Sequence, residues 1–169
     1  VGPGASVGGA VGGAVGGAIA RTFAREGAHV HLAGRTHKKL QAVADEITAA
    51  GGKAAANTDD ISSWAGAESV VQQAVDTFGG LDILVNNAGI LRDAMSFSMS
   101  EAVWDDVIRV HLKGHAACSH FAGRHWRERA KAGDETVTGR IINTASESGL
   151  YGLAGQVNYA TAKAGIAAM

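Results

Sequence analysis

Apolar positions along the chain fall into short runs that alternate between helical and strand spacing. In Ile19–Glu26 (IARTFARE), Ile19, Ala20 and Phe23 share one helical stripe with Arg and Glu elsewhere, and Gly27 stops the run. HVHLAGR (29–35) reads as a short strand with Val30 and Leu32 on one face. Leu40, Val43, Ala44 and Ile47 mark the next amphipathic helix, ended by Gly51-Gly52. AAANTDDI (54–61) is weakly strand-like, and Val70–Phe78 is helical and closed by another glycine pair. LDILVNNAG (81–89) is an apolar strand running into a polar turn. Val103–Trp126 carries a long, mixed helical pattern, and RERAKAGDETVTG (127–139) reads as a charged, solvated loop. RIINTAS (140–146) is another strand, and Tyr159–Met169 begins a further helix.

Strand and helix alternate, and the strands are short and nearly continuously apolar. That order predicts an α/β fold: a doubly wound parallel sheet with helices on both faces and right-handed crossovers, forming one domain over 1–169. In such sheets ligands lie beyond the carboxyl ends of the strands, so those ends are where chemistry is sought.

The opening stretch does not fit this rhythm. Its first twenty residues, VGPGASVGGAVGGAVGGAIA, hold eight glycines and no charge. Residues 3–8 (PGASVG) make a poor central strand by propensity. The GGAV repeat is open to three readings: a phosphate-binding loop, a small-residue helix face, or a loosely ordered segment. A membrane span is disfavoured because alanine and glycine offer little apolar area. Fifteen basic and sixteen acidic residues give no electrostatic case for nucleic acid or an acidic membrane. The single cysteine, Cys118, excludes an internal disulfide and suits a reducing compartment, hence an expected cytoplasmic address. In its helix it reads as a buried small hydrophobe, and Trp64, Trp104 and Trp126 read as packing residues. No dense spacing of metal ligands such as His-Glu-x-x-His occurs.

The strongest local signal is Tyr159-Ala-Thr-Ala-Lys163. Four residues apart on a helix, a phenol and an ammonium share a face, and a nearby cation favours phenolate. Such a tyrosine could serve as general acid or base toward a carbonyl or alcohol. Ser146, thirteen residues earlier at a strand's end, could hold the same oxygen. In DILVNNAG the paired asparagines offer side-chain amides, and Gly89 lets backbone approach a ligand closely. Asp60 could accept a hydrogen bond from a base amine, or equally cap the helix starting near Ser62 or Ser63.

Taken together, NNAG at 86–89, Ser146, and Tyr159 with Lys163 resemble the motifs of short-chain dehydrogenases/reductases in order and spacing. The likeness is closest over 79–169, through ILRD, VHLKGH, GRIINTAS and GQVNYATAKAG, to 3-oxoacyl reductases and the 3-hydroxyacyl dehydrogenase domains of multifunctional β-oxidation enzymes. The resemblance implies a Rossmann-like sheet and a nicotinamide cofactor. It makes Tyr159 the acid/base, gives Lys163 the nicotinamide ribose and the lowering of the tyrosine pKa, and has Ser146 position the substrate oxygen. It sets Asp60 with Ile61, and Asn86, Ala88 and Gly89, along the cofactor's path. It implies hydride transfer with a 3-oxoacyl or 3-hydroxyacyl thioester, reduction leading, with a non-catalytic nucleotide-binding module as the alternative. Homodimers or homotetramers would form through the helix around 103–125 and the Tyr159 helix.

Three departures from the family pattern qualify this. His111 stands where the family often has an asparagine, and is either a functional substitute or a helix-packing histidine. The expected Thr-Gly-x-x-x-Gly-x-Gly, anchored on Ile19-Ala20, finds Ala10, Ala14 and Gly16, with Gly9 in place of the threonine, so an alanine at a positive-φ position is a foreseen cost. A degenerate phosphate loop using Gly12, Gly13 and Gly16 is nonetheless favoured. Third, the family continues well beyond the Tyr–Lys helix, so the chain is expected to be a fragment with its substrate cover missing. After HVHLAGR, where an NAD site would carry a carboxylate, this chain has Gly34 and then Arg35, which predicts NADP(H) over NAD(H).

Overall fold

The computed structural model describes residues 4–10 and 13–169. In chain order these form β1 (Ser6–Ala10), α1 (Gly13–Arg25), β2 (His29–Ala33), α2 (His37–Ala49), β3 (Lys53–Asn57), α3 (Trp64–Phe78) and β4 (Ile83–Asn86). They continue as α4 (Glu101–Ile108), a π-helical segment (Arg109–Lys113), α5 (Gly114–Lys131), β5 (Arg140–Asn143), α6 (Ser148–Tyr151) and α7 (Val157–Ala168). The strands make one wholly parallel sheet in the order β3-β2-β1-β4-β5. The order reverses at β1, so the switch point lies between β1 and β4, where such sheets open a crevice.

Strand alternation sorts side chains onto two helical layers. Val30 and Leu32 of β2 pack with Leu40, Ala44 and Ile47 of α2 and Ala20 of α1. Ala33 of β2 and Leu84 of β4 face the other way, joining Val70 and Val71 of α3 with Ala117, Phe121 and Ala122 of α5. Each fully buried Leu, Val or Phe here contributes about 1.5–3 kcal/mol relative to exposure. Turn glycines fall where left-handed backbone is needed: Gly27 after α1 and Gly79, which caps α3, both have positive φ.

Four expectations need correction. The poor strand former at 3–8 leads into β1, the central strand, with Ser6–Ala10 paired to β2 and β4. The reason is tertiary: a Cβ on Gly8 would lie 3.1 Å from Leu81 Cδ1 and 3.8 Å from Ala74 Cβ, so small residues let the α3 layer close onto the sheet. The start of β1 is further held by the Ser6 N–H donating to Asp82 Oδ2 at 2.7 Å. Ala10 and Ala14 carry no left-handed strain, since no non-glycine residue among those described has positive φ; they sit in β1 and α1. The charged loop at 127–139 is shorter than expected, because α5 runs on to Lys131 and the chain turns at Gly133. Finally, Asp60 and Ser146 do not end strands: each lies three residues beyond one, β3 and β5 respectively. Among the described residues no helix is long and apolar enough to cross a membrane.

Candidate active site

Two adjoining clefts open beyond the carboxyl ends of the strands. The larger, about 400 Å³, is lined by Ala14 and Val15 of α1, Asn87, Gly89, His111, Thr144, Tyr159 and Lys163. The smaller, about 100 Å³, is lined by Gly34, Arg35, Asp60, Ile61, Ala88 and Val110. Gly89 and Ile90 belong to both walls, so the two clefts meet at the turn after β4.

α7 supplies the pair at the centre of the larger cleft. Its N-terminal region is anchored by buried Asn158, whose side-chain amide donates to the Arg92 and Val103 carbonyls at 3.1 and 3.3 Å. Lys163 is 3% exposed and donates from Nζ to the Thr144 carbonyl just past β5. Nζ lies 5.7 Å from the Tyr159 ring centroid. Burial holds the Lys163 ammonium below its ordinary pKa, because desolvation penalises the charged form. The Ser146 turn sits against the same helix. The Ser148 N–H donates to Ser146 Oγ at 3.3 Å, and Gly149 packs so tightly that a Cβ there would lie 2.7 Å from the Lys163 carbonyl carbon.

His111 comes from the π segment and is 2% exposed. Its ring meets Tyr159 edge-on, 5.1 Å between centroids at 89°. Nε2 lies 2.9 Å from the Ile90 nitrogen and 2.8 Å from the Ile90 oxygen. One ring nitrogen serves only one of these at a time: it accepts from the N–H when bare and donates to the carbonyl when protonated. Burial first, and also the Lys163 charge, push the His111 pKa down, with the Ile90 backbone contact opposing, which favours the neutral imidazole. Gly89 makes this approach possible, since a Cβ there would lie 2.4 Å from His111 Cε1.

Of the expected residues, Gly89, His111, Tyr159 and Lys163 surround the larger cleft, while Arg35, Asp60, Ile61, Ala88 and Gly89 surround the smaller. Gly12 lies outside the described residues, Gly13 begins α1, and Gly16 is buried within it. Asn86 is placed differently from the expectation: it is 3% exposed and donates to Ser119 Oγ and Asn143 Oδ1, tying β4 to α5 and β5. The cleft asparagine is its neighbour Asn87, which accepts from Thr144 Oγ1 at 3.2 Å. Alternation beyond β4 would have singled it out, because adjacent residues of an extended chain point to opposite sides. Thr144, Val110 and Arg109 carried no local sequence signal. The α3 cap is Ser63, which accepts from the Gly66 N–H, and Asp60 is left to bind Ser62 and Arg109.

These residues suit a nicotinamide dinucleotide. The first turn of α1 lines the larger cleft at Ala14 and Val15, and the N-terminal end of a helix favours an anion. The bare Gly89 backbone joins the two clefts, and Arg35 lines the smaller one together with Asp59 and Asp60, with glycine at position 34.

The comparisons agree with this architecture. The family model for short chain dehydrogenase matches residues 5–169, and the chain belongs to that family. A hydroxyacyl-CoA dehydrogenase of Mycobacterium tuberculosis is 53% identical over 132 residues, 75% of this chain and 41% of that one. Peroxisomal multifunctional enzyme A of Dictyostelium discoideum is 47% identical over 130 residues, 77% of this chain and 27% of that one. A short chain dehydrogenase from Mycobacterium avium of known crystal structure superposes with a TM-score of 0.94 at 48% identity, covering 98% of this chain and 62% of that one. This chain thus spans less than two thirds of each of these proteins. The expected cytoplasmic address is corrected, because the Dictyostelium relative and several others carry peroxisomal names. One reduced cysteine is compatible with either compartment, so cysteine usage had no power to choose.

Proposed function

We propose that the protein is a nicotinamide-dependent oxidoreductase that interconverts 3-oxoacyl and 3-hydroxyacyl thioesters, preferring NADP(H). One observation carries the reading: Tyr159 and Lys163, one turn apart on α7, open on a cleft that joins a second, Arg35-lined cleft at Gly89. The thioester class is supported by the hydroxyacyl-CoA dehydrogenase from Mycobacterium tuberculosis, the relative described above at 53% identity.

The bound nicotinamide would supply hydride chemistry; the protein groups bind, orient and move the proton. Tyr159 Oη donates its proton to the substrate carbonyl oxygen in reduction and takes it back in oxidation. Lys163, held by the Thr144 carbonyl, sets a positive charge beside the ring as the proton departs and offers donors to a ribose. Ser146 donates a second hydrogen bond to the substrate oxygen. Arg35 presents a planar set of donors to a 2′-phosphate, and position 34, where an NAD site would carry a carboxylate, is glycine.

In the full-length protein Tyr159→Phe is expected to lower kcat by about 10²–10⁴-fold, the usual worth of a positioned acid/base, while cofactor affinity stays near normal. Lys163→Ala is expected to lower both. Turnover of Tyr159→Phe within a few-fold of the parent, measured with a 3-oxoacyl thioester, would refute the assignment.

A further inference from the structure

Asp60 lines the smaller cleft, and its carboxylate is held in a network that the reaction chemistry does not require. Its backbone is fixed independently: the Asp60 carbonyl accepts from the Ser63 N–H at 3.0 Å and from Ser63 Oγ at 2.9 Å. Gly66 closes the turn beneath it, since a Cβ there would lie 2.2 Å from the Asp60 oxygen. The side chain is held separately. Oδ1 accepts from the Ser62 N–H at 3.0 Å and from Ser62 Oγ at 2.6 Å. Oδ2 accepts from Arg109 Nη1 at 3.3 Å.

Arg109 reaches this carboxylate from forty-nine residues away. It is the first residue of the π-helical segment, and it also donates to Ser62 Oγ through Nη1 and to Asp106 Oδ1 through Nη2 at 3.1 Å. The guanidinium is thus braced on both sides, by Asp106 one turn earlier in the chain and by Ser62 and Asp60. The next two residues serve the clefts directly: Val110 lines the smaller one and His111 the larger. The widened helical turn places Val110 and His111 on the walls of the two clefts and Arg109 against Asp60 of the smaller one, as π-helical insertions at functional sites do.

A half-exposed ion pair is worth little as a stabiliser. Its geometry has another consequence. With Oδ1 taken by two Ser62 donors and Oδ2 accepting from Arg109 among the described residues, with the Arg35 charge near the same carboxylate, an oxygen retains acceptor capacity at the cleft wall, and its rotation is fixed by Ser62 and Arg109. The fixed acceptor selects a neutral N–H donor of a flat ring, and adenine offers one in its exocyclic amine. Hypoxanthine has a carbonyl oxygen at that place, which two acceptors cannot share without repulsion.

We propose that Arg109 is a positioning residue for purine recognition: it orients the Asp60 carboxylate to accept the adenine amine and so makes the site discriminate adenine from hypoxanthine. This rests on the dinucleotide reading of the two clefts given above.

The test is fluorescence titration of the full-length protein with NADPH, NADH and reduced nicotinamide hypoxanthine dinucleotide. The parent is expected to bind NADH about tenfold more tightly than the hypoxanthine form, the worth of one hydrogen bond to a charged acceptor. In Arg109→Ala that ratio is expected to fall to about threefold or less, and Arg109→Lys should recover part of it, because a point charge restores the contact to Asp60 without the fork. Ser62→Ala removes the group bridging Arg109 and Asp60, and is expected to lower the ratio in the same direction. It provides the reading if Arg109→Ala melts too early to titrate. An equal loss of affinity for both forms, with the ratio kept, would overturn the proposal, since a merely structural arginine weakens both alike. So would a parent with no preference between the two bases. A parent that binds none of the three dinucleotides would instead overturn the reading of the clefts themselves.

Discussion

Gly89→Ala tests how tightly the turn after β4 is fitted to the long helix. The added Cβ would lie 2.4 Å from His111 Cε1 and 3.1 and 3.2 Å from its two ring nitrogens. Gly89 does not have positive φ, so steric overlap alone is at issue. Two responses are open. The ring stays, and the overpacked contact costs about 1–3 kcal/mol. Alternatively the ring retreats and gives up the part-buried Ile90 backbone, leaving the buried imidazole without that partner at about 1–3 kcal/mol. Either way Tm is expected to drop by about 2–12 °C, at the 2–4 °C per kcal/mol typical of a chain this size. A double-mutant cycle isolates the cause. In a His111→Ala background the obstacle is gone, and Gly89→Ala is expected to cost under about 0.5 kcal/mol by thermal or urea denaturation. Equal costs in the two backgrounds would refute the contact as the reason for a glycine here. A Tm within about 1 °C of the parent would do the same.

His115 is 1% exposed, and burial, with the Lys163 and His111 charges nearby, pulls its pKa down to about 4 against the opposing backbone contacts of Asn86 and His111. The unfolded chain then binds the proton more tightly than the folded one, so stability falls as pH drops from about 6.5 toward 4, by about 2 kcal/mol between pH 7 and pH 5. His115→Leu should remove that part of the slope in urea melts; an unchanged slope would show that another group carries it. Cys118 is buried and its thiol is pushed up to about 12 by desolvation, so native protein at pH 8 is expected to resist iodoacetamide until denatured. Prompt labelling would contradict its burial. For cofactor choice, Arg35→Ala is expected to lower kcat/KM for NADPH about tenfold or more with little change for NADH, as loss of a charge-assisted phosphate contact requires. Higher kcat/KM with NADH in the parent would defeat the NADP(H) preference.

Local pattern sufficed wherever a residue's role depends on near neighbours. The 3.6 spacing of Leu40, Ala44 and Ile47, the alternation of Val30 with Leu32, and the glycines after α1 and α3 specify elements, because helix faces, strand faces and left-handed turns are properties of a few consecutive residues. The Tyr159–Lys163 pair was legible for the same reason, being one turn of one helix. Only tertiary structure could make a glycine-rich segment the central strand, because the reward for bare backbone at Gly8 is the approach of Leu81 and Ala74, more than sixty residues on. It also decided which asparagine of the NNAG turn faces the cleft, by burying Asn86 against Ser119 and Asn143 and leaving Asn87 on the wall. The partners of His111 and Arg109 lie twenty-one and forty-nine residues away. No periodicity in the sequence encodes such distances; they are set when α4, the π segment and α5 settle across the end of the sheet and bring remote polar atoms within hydrogen-bond reach.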